Sequence, residues 1–293
     1  MAEIYVLGSM NTDTTYYLDS LPQKGVTLMA RQAESAPGGK GFNQAAAAAW
    51  SGAKVHIIGA VGDDANGARL TATLNEHGVD TSHVRRVGAP TGSAVIFVDA
   101  RGNNLIVVNG GANREVKYDA VRFNKGDWLL AQLETPAETV LEYFRAARAS
   151  GAFTALNLSP AQPVDDKLLS LTDMLIVNEH EASAVLNECV KTADDVLRLG
   201  GSFFDLGIKA AVVTLGGEGA VTLERGGSTV IHGERVHTVD TQGAGDAFAG
   251  VLLAKLIECG SLCEAARHAN HIAAQCVTVK GSTVISLAEV EKG

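Results

Sequence analysis

The sequence predicts an α/β protein with a mostly parallel central sheet, helices on both faces, and a small β-rich lid. Three observations carry that prediction. Short apolar runs alternate with Gly-rich turns and amphipathic stretches along most of the chain, the rhythm of buried strands covered by helices. Two stretches, about 14–36 and 93–109, break the rhythm with β-like segments that no covering helix follows. The 293 residues, 46% hydrophobic and 19% charged, suffice for one large core and lie outside the range of disordered chains. The expectation is a single α/β domain over residues 1–293, its lid built from those two stretches.

Taken in order, Ile4 to Leu7 reads as the first strand and leads into Gly8-Ser9-Met10-Asn11-Thr12-Asp13. The first irregular stretch has Pro22 and Gly25 between its β-like runs. Ala45 to Ala49 belongs to a helix, since alanine is the best helix former. Val55 to Val61 is a strand, and Gly67 to Gly78 a helix with Leu70 and Leu74 on one face. Ser93 to Asn109 reads as two strands around the hairpin-like turn Ala100-Arg101-Gly102-Asn103. Trp128 to Leu133 is a strand, followed by a helix from about Pro136 to Ser150. Further strands are Thr154 to Leu158, Met174 to Val177 and Ala210 to Leu215. Helices over Ala244 to Glu258 and Leu262 to Val279 complete the pattern, with no internal repeat or low-complexity linker. A lid that closes would keep water from a reactive site; an ordinary antiparallel sheet edge is the other reading of the two irregular stretches.

The formal net charge of −9, from 24 Lys and Arg against 33 Asp and Glu, argues against nucleic acid as a partner. A small anion held by backbone N–H groups remains compatible with it. Met1-Ala2-Glu3 lacks the basic start and apolar stretch of a secretory signal, and no apolar run reaches the roughly 18 residues of a membrane span. The expectation is a soluble cytoplasmic protein without a membrane partner. Cys189, Cys259, Cys263 and Cys276 are too scattered for a disulfide framework. Cys259, Cys263, His268 and His271 match no compact zinc motif, and Gly260-Ser261 breaks that segment.

The segment richest in chemistry is Asp240-Thr241-Gln242-Gly243-Ala244-Gly245-Asp246. Small residues at Gly243, Ala244 and Gly245 let backbone N–H groups approach a ligand at a helix start, where unpaired donors and partial positive charge suit a phosphate. Asp246 stands in the first turn. It either caps the helix or acts as a base beside the anion cradle, as phosphorylation of a hydroxyl requires. The second segment is Pro37-Gly38-Gly39-Lys40-Gly41-Phe42-Asn43-Gln44. Its glycines permit positive φ and close approach to a ligand, and Lys40 and Asn43 can donate to hydroxyls. It is no P-loop, because Gly41 follows the lysine where Ser or Thr is needed, and no dinucleotide fingerprint follows the first strand. Asn11 and Asp13, just past that strand, sit where open α/β sheets bind ligands, or form a turn. Asn178 and Glu181 follow another strand; they suit a hydrated Mg²⁺ or an acidic helix start. Thr214-Leu215-Gly216-Gly217-Glu218-Gly219 makes either a nucleotide wall or a hairpin into Ala220 to Leu223.

Together and in this order, these segments resemble the ribokinase family of sugar kinases, the phosphofructokinase-B type, from Gly8 to about Gly281. Within the family, Gly8 to Asp13 and Gly39 to Asn43 are most similar to the ribokinases proper. The resemblance implies a ribokinase-like fold and ATP-dependent phosphorylation of a sugar, with ribose as acceptor at its 5-hydroxyl. It implies Asp246 as base and the N–H groups of Gly243, Ala244 and Gly245 as anion hole. Asn11, Asp13, Gly39, Lys40, Asn43 and Glu134 match the sugar set. Asn178, Thr214, Gly216, Gly217, Gly219 and Asn270 match the nucleotide set, with Glu181 organising Mg²⁺ through water. A potassium ion is implied beside the anion hole, held by Asp240, the carbonyl of Gln242, and the carbonyls of Cys276, Val279 and Gly281. A homodimer through the lid is implied as well. One departure stands out: an ungapped match places Ile285 where the family carries a serine ligand of potassium, with Ser286 one position on.

Three other readings compete. Another acceptor within the family, such as deoxyribose, a ketohexose or a nucleoside, would use the same machinery, although a wall built to pair hydroxyls discriminates against analogues lacking them. A non-catalytic sugar or nucleotide sensor would have no need of Asp246. A nicotinamide oxidoreductase lacks its fingerprint here.

Overall fold

Alternate residues of the first strand enter opposite cores, and the fold is arranged around that strand. The computed structural model describes residues 2–281, 283–285 and 288. In β1 (Ile4–Leu7), Ile4 and Val6 join one apolar cluster and Tyr5 and Leu7 another, the two-sided burial of a parallel sheet covered by helices. The chain continues through β2 (Asn11–Tyr17), β3 (Gln32–Gly38), α1 (Lys40–Trp50), β4 (Val55–Gly62), α2 (Ala65–Glu76) and β5 (Val79–Val87). Then come β6 (Gly92–Val98), β7 (Asn104–Asn109), β8 (Trp128–Ala131), α3 (Ala137–Ala149), β9 (Phe153–Asn157), α4 (Asp166–Ser170), β10 (Met174–Asn178) and α5 (Glu179–Leu186). The last are α6 (Ala193–Asp205), β11 (Ala210–Thr214), β12 (Gly219–Glu224), β13 (Gly227–His232), α7 (Ala244–Cys259) and α8 (Leu262–Cys276).

Among the described residues, 9 strands form one sheet in the order β13-β12-β11-β10-β9-β8-β1-β4-β5. Every pair from β11 to β5 is parallel, and β12 and β13 are added antiparallel. Helices α1, α2, α7 and α8 contribute to one core, and α3 to α6 to the other. Strand order reverses at β1, which lies between β4 and β8, and such a reversal opens a crevice at the carboxyl ends of the strands. Close approach of α7 to α1 depends on small residues: a Cβ at Gly250 would stand 2.7 Å from the Cβ of Ala47. The Ala45 to Ala48 run is the other half of that fit, buried throughout.

The two irregular stretches form a separate 4-stranded sheet, β3-β2-β6-β7. Its β2–β6 pair is parallel and the other two pairs are antiparallel, so it is more than an edge of the large sheet. It begins earlier than expected. Asn11 pairs with Gly38 on one side and Gly92 on the other, which draws Asn11 and Asp13 out of a turn and into β2. The expected turn after β6 is organised by Asp99, whose Oδ1 accepts N–H bonds from Arg101 at 2.8 Å and Asn103 at 3.0 Å. The closing helix is shorter than expected. After Cys276 the Val277 carbonyl turns away to accept the N–H groups of Val239 and Asp240, tying the helix end to the loop before α7.

Candidate active site

Gly243 stands at the N-cap of α7 with φ 84°, in the left-handed region that favours glycine, and no side chain caps the helix. The Ala244 N–H makes only a long bond of 3.4 Å to Thr241 O, and the helix start leaves the N–H groups of Gly245 and Asp246 without intrahelical acceptors. The buried Asp246 carboxylate does not serve as the cap. Its Oδ2 accepts from Asn43 Nδ2 at 3.2 Å and its Oδ1 from Gln44 Nε2 at 2.9 Å, both on α1. A Cβ at Gly245 would meet nothing within 4 Å, so packing does not demand glycine there and the space before the helix start is open.

At the start of α1, Gly39 has φ 92°, and a Cβ on it would lie 2.9 Å from both Asn11 N and Ser9 O. The tight turn sets Lys40 among carboxylates. Asp246 foremost, with Glu134 and Glu181, holds the Lys40 ammonium above the ordinary lysine range against its burial. Asn113 orients Asn11, donating to its Oδ1 at 2.8 Å and to Met10 O at 3.2 Å while accepting Met10 N–H at 2.9 Å. The donor end of the Asn11 amide is thereby left for the cleft. Burial, then the charges of Glu134 and Asp246, push the Asp13 carboxyl up to about 6. Glu134, just beyond β8, accepts a bond from Ser9 Oγ.

Two adjoining cavities meet at these residues. The larger, about 750 Å³, is lined by Asn11, Asp13, Gly39, Asn43 and Glu134, together with inward residues of the second sheet. The smaller, about 140 Å³, is lined by Asn157, Asn178, Glu181, Thr214 and Gly245. Lys40, Gly243 and Asp246 line both. The residues matched to a sugar thus share one cavity. Of the nucleotide set, Asn178 and Thr214 line the smaller cavity, whereas Gly216, Gly217, Gly219 and Asn270 line neither. Gly216 to Glu218 form the turn that pairs β11 with β12, the hairpin alternative. At Gly219 a Cβ would strike the Ile231 carbonyl of β13, and Asn270 Nδ2 donates to His232 O at 3.2 Å. Asn178 and Glu181 form a capping box: Asn178 Oδ1 accepts Glu181 N–H at 2.8 Å, and Glu181 Oε2 accepts Asn178 N–H at 2.9 Å. The acidic helix start is therefore real, and the same box holds Glu181 at the cavity wall.

Asp240 gathers the other loop. Its Oδ1 accepts Gln242 N–H and its Oδ2 accepts Gly281 N–H, each at 3.0 Å, so three residues of the cation set stand together at the edge of the larger cavity. Cys276 and Val279 lie behind them, the Cys276 carbonyl accepting Val279 N–H at 3.2 Å. Burial pushes the Cys276 thiol up to about 12, which leaves only its carbonyl as a ligand. Ile285 packs against the apolar core with Val279, and Ser286 lies outside the described residues. Among the described residues no three His, Cys, Asp or Glu side chains converge as metal ligands. A cation here would rest on single carboxylates and carbonyl oxygens.

Sequence reasoning passed over Ser9, Gln44, Asn113, Gln132 and Asn157. The signal for them is a polar residue inside an apolar run, as Gln132 is just past the end of β8 and Asn157 at the end of β9.

Residues 1–288 match the family described as pfkB family carbohydrate kinase. A ribokinase of Haemophilus influenzae is 37% identical over 283 residues, 94% of this chain and 92% of that one. A deoxyribokinase of Salmonella typhi is 33% identical over 287 residues, 96% of this chain and 94% of that one. The structure of an Arabidopsis thaliana ribokinase complexed with ribose and ATP superposes with a TM-score of 0.89 at 29% identity, over 100% of both chains. With the Gly-Ala-Gly cradle, the buried Asp246 and this match along nearly all its length, the chain belongs to the pfkB family of carbohydrate kinases.

Proposed function

We propose that the protein transfers the γ-phosphoryl group of ATP to the 5-hydroxyl of ribose, giving ribose 5-phosphate and ADP. The observation that carries this reading is the place of Asp246, buried where the two cavities meet and beside the open start of α7. Asn11, Asp13, Lys40 and Asn43 offer donors and acceptors to the secondary hydroxyls of a pentose. Asp246 takes the proton of the 5-hydroxyl as its oxygen attacks the γ-phosphorus. The N–H groups of Gly243, Ala244 and Gly245 receive the charge on the phosphoryl oxygens as ADP departs. Thr214 and Asn178 support the nucleotide on the smaller cavity, with Gly216, Gly217, Gly219 and Asn270 further along the β11–β12 edge.

Glu181 and Asn178 fit a hydrated Mg²⁺, which when bound neutralises phosphate charge. Asp240 and the carbonyls of Gln242, Cys276, Val279 and Gly281 suit K⁺, which when bound adds positive field beside the cradle. Ile285, packed against the core, has no side-chain oxygen to bring to that set. The second sheet serves as a lid over the larger cavity. The exposed Leu105, Ile106, Val107 and Val108 on its edge strand support pairing of two lids in a homodimer. No helix among the described residues is long and apolar enough to cross a membrane; a cytoplasmic setting, where ATP is at hand, accords with the reaction.

The similarity to a deoxyribokinase keeps one rival acceptor specific. ATP consumption measured across ribose, deoxyribose, fructose and nucleosides separates them, with ribose expected to give the highest kcat/KM. Turnover of deoxyribose with ribose inert overturns the acceptor, and no turnover with any of them points to a non-catalytic sensor.

A further inference from the structure

The carboxylate of Asp246 accepts from a chain of buried amides, of which Gln44 and Gln132 line neither cavity. Asn157 Nδ2 donates to the backbone carbonyl of Ile176 on β10 at 3.1 Å. That bond turns Asn157 Oδ1 toward α1, where it accepts Gln44 Nε2 at 2.9 Å. The second hydrogen of the same Gln44 amide goes to Asp246 Oδ1, also at 2.9 Å. Gln132 Nε2 completes the set by donating to Gln44 Oε1 at 2.6 Å. The direction of every bond therefore follows from one main-chain carbonyl at one end and one carboxylate at the other. Gln44 and Gln132 are each 0% exposed, and Gln44 lines neither cavity. Burying such amides is costly unless each finds partners, and an apolar side chain would fill the same space. What the amides accomplish is orientation of the single charge they reach.

We infer that Gln44 is a positioning residue for Asp246. By holding Oδ1 it leaves Oδ2, beside the cleft-lining Asn43, as the oxygen that takes the proton. This rests on the reading of Asp246 as the base. A misplacement of about 1 Å at a reacting group can cost on the order of 10²-fold in rate, and the Gln44 amide is the short, buried restraint against it.

The test is a double-mutant cycle. Gln44→Glu keeps the shape but sets an acceptor against Asn157 Oδ1 and Asp246 Oδ1. It should lower kcat by about 10–100-fold while the KM values for sugar and ATP stay within about twofold. In an Asp246→Asn background the same change should leave the residual rate within about twofold, because the new amide can donate to Glu and the pair re-forms reversed. Melting of that double variant should exceed that of Gln44→Glu alone. Gln44→Met, which removes the donors without repulsion, supplies the same kcat comparison if Gln44→Glu does not fold. Equal losses in both backgrounds, or a kcat near wild type for the substituted protein, would overturn the inference. Near-normal turnover by Asp246→Asn alone would instead overturn the reading of Asp246 as base.

Discussion

The ammonium of Lys280 lies 4.3 Å from the centroid of the Tyr17 ring and pairs with Glu34 on the neighbouring strand. Tyr17 and Glu34 belong to the second sheet, and Lys280 immediately precedes Gly281, whose N–H holds Asp240. A tie thus runs from the second sheet through Gly281 and Asp240 to the loop that leads into Gly243 and the start of α7. Cation–π and exposed ion pairs are each worth about 0.5–1 kcal/mol, enough to bias a closure without locking it. Lys280→Met should raise the sugar KM several-fold with little change in melting temperature, and the effect should shrink at high salt. A KM equal to wild type at every salt concentration would show that the tie takes no part in closure.

Asp246→Asn preserves shape and loses the proton acceptor. Turnover should fall by about 10²–10⁴-fold, while ATP affinity and melting temperature change little. A helix cap would behave in the opposite way, with near-normal turnover and a stability loss of about 1 kcal/mol. Since no side chain caps α7, the first outcome is expected, and single-turnover rates together with calorimetry on one variant decide it.

Gly245 and Gly39 differ in what an added methyl would meet, and two alanine variants expose the difference. At Gly245 the added methyl enters open space, so Gly245→Ala should melt at or above the wild-type temperature, alanine being favoured in a helix by up to about 1 kcal/mol. Its turnover should drop by about 10²-fold if that space is the phosphoryl site. At Gly39 the methyl meets backbone at 2.9 Å with φ 92°, and Gly39→Ala should cost about 1–3 kcal/mol of stability. Thermal melting and kcat on both variants give the comparison.

The Asp13 carboxyl is pushed up from 3.8 to about 6 by burial, then by Glu134 and Asp246. A raised carboxyl pKa means that the folded state binds more protons than the unfolded one across that window. Its contribution to stability is therefore full below about pH 4, falls as pH rises through about 6, and is constant above. Asp13→Asn should raise stability at pH 7.5 by about 1–3 kcal/mol, with no gain at pH 4, while impairing use of the sugar. In the unmodified protein the sugar KM should climb below about pH 6, where Asp13 becomes neutral. Flat melting differences between the two pH values would contradict this assignment.

Potassium should raise the rate over sodium at fixed ionic strength if the carbonyls around Asp240 hold it. Ile285 removes one oxygen from the family's set, so activation should be weaker than in a variant with the oxygen restored, Ile285→Ser. Equal rates in potassium, sodium and a bulky organic cation would remove the ion from the reaction.

Local chemistry made much of this legible before the fold was known. Apolar periodicity located β1, β4, β8 to β11 and the last two helices, because strand and helix burial repeat every two or about 3.6 residues. The helix α6 escaped, although Thr192 and Asp195 form a capping box before it. The Gly-Ala-Gly cradle and the first-turn position of Asp246 were readable because helix starts and positive φ are properties of a few neighbouring residues. Nothing local, however, distinguished Asp246 as a cap from Asp246 as a base. The structure shows that its carboxylate does not cap α7 but accepts from Asn43 and Gln44, 203 and 202 residues away in the chain, which reach it only because Gly250 and the Ala45 to Ala48 run let α7 settle against α1. Tertiary structure likewise drew Asn11 into β2, turned Gly219 into a packing residue of a hairpin, and set Ile285 against the core. Sequence determined which groups are present and how each short segment bends. Which of them face one another is a long-range packing outcome, and the orientation of one buried carboxylate depends on it.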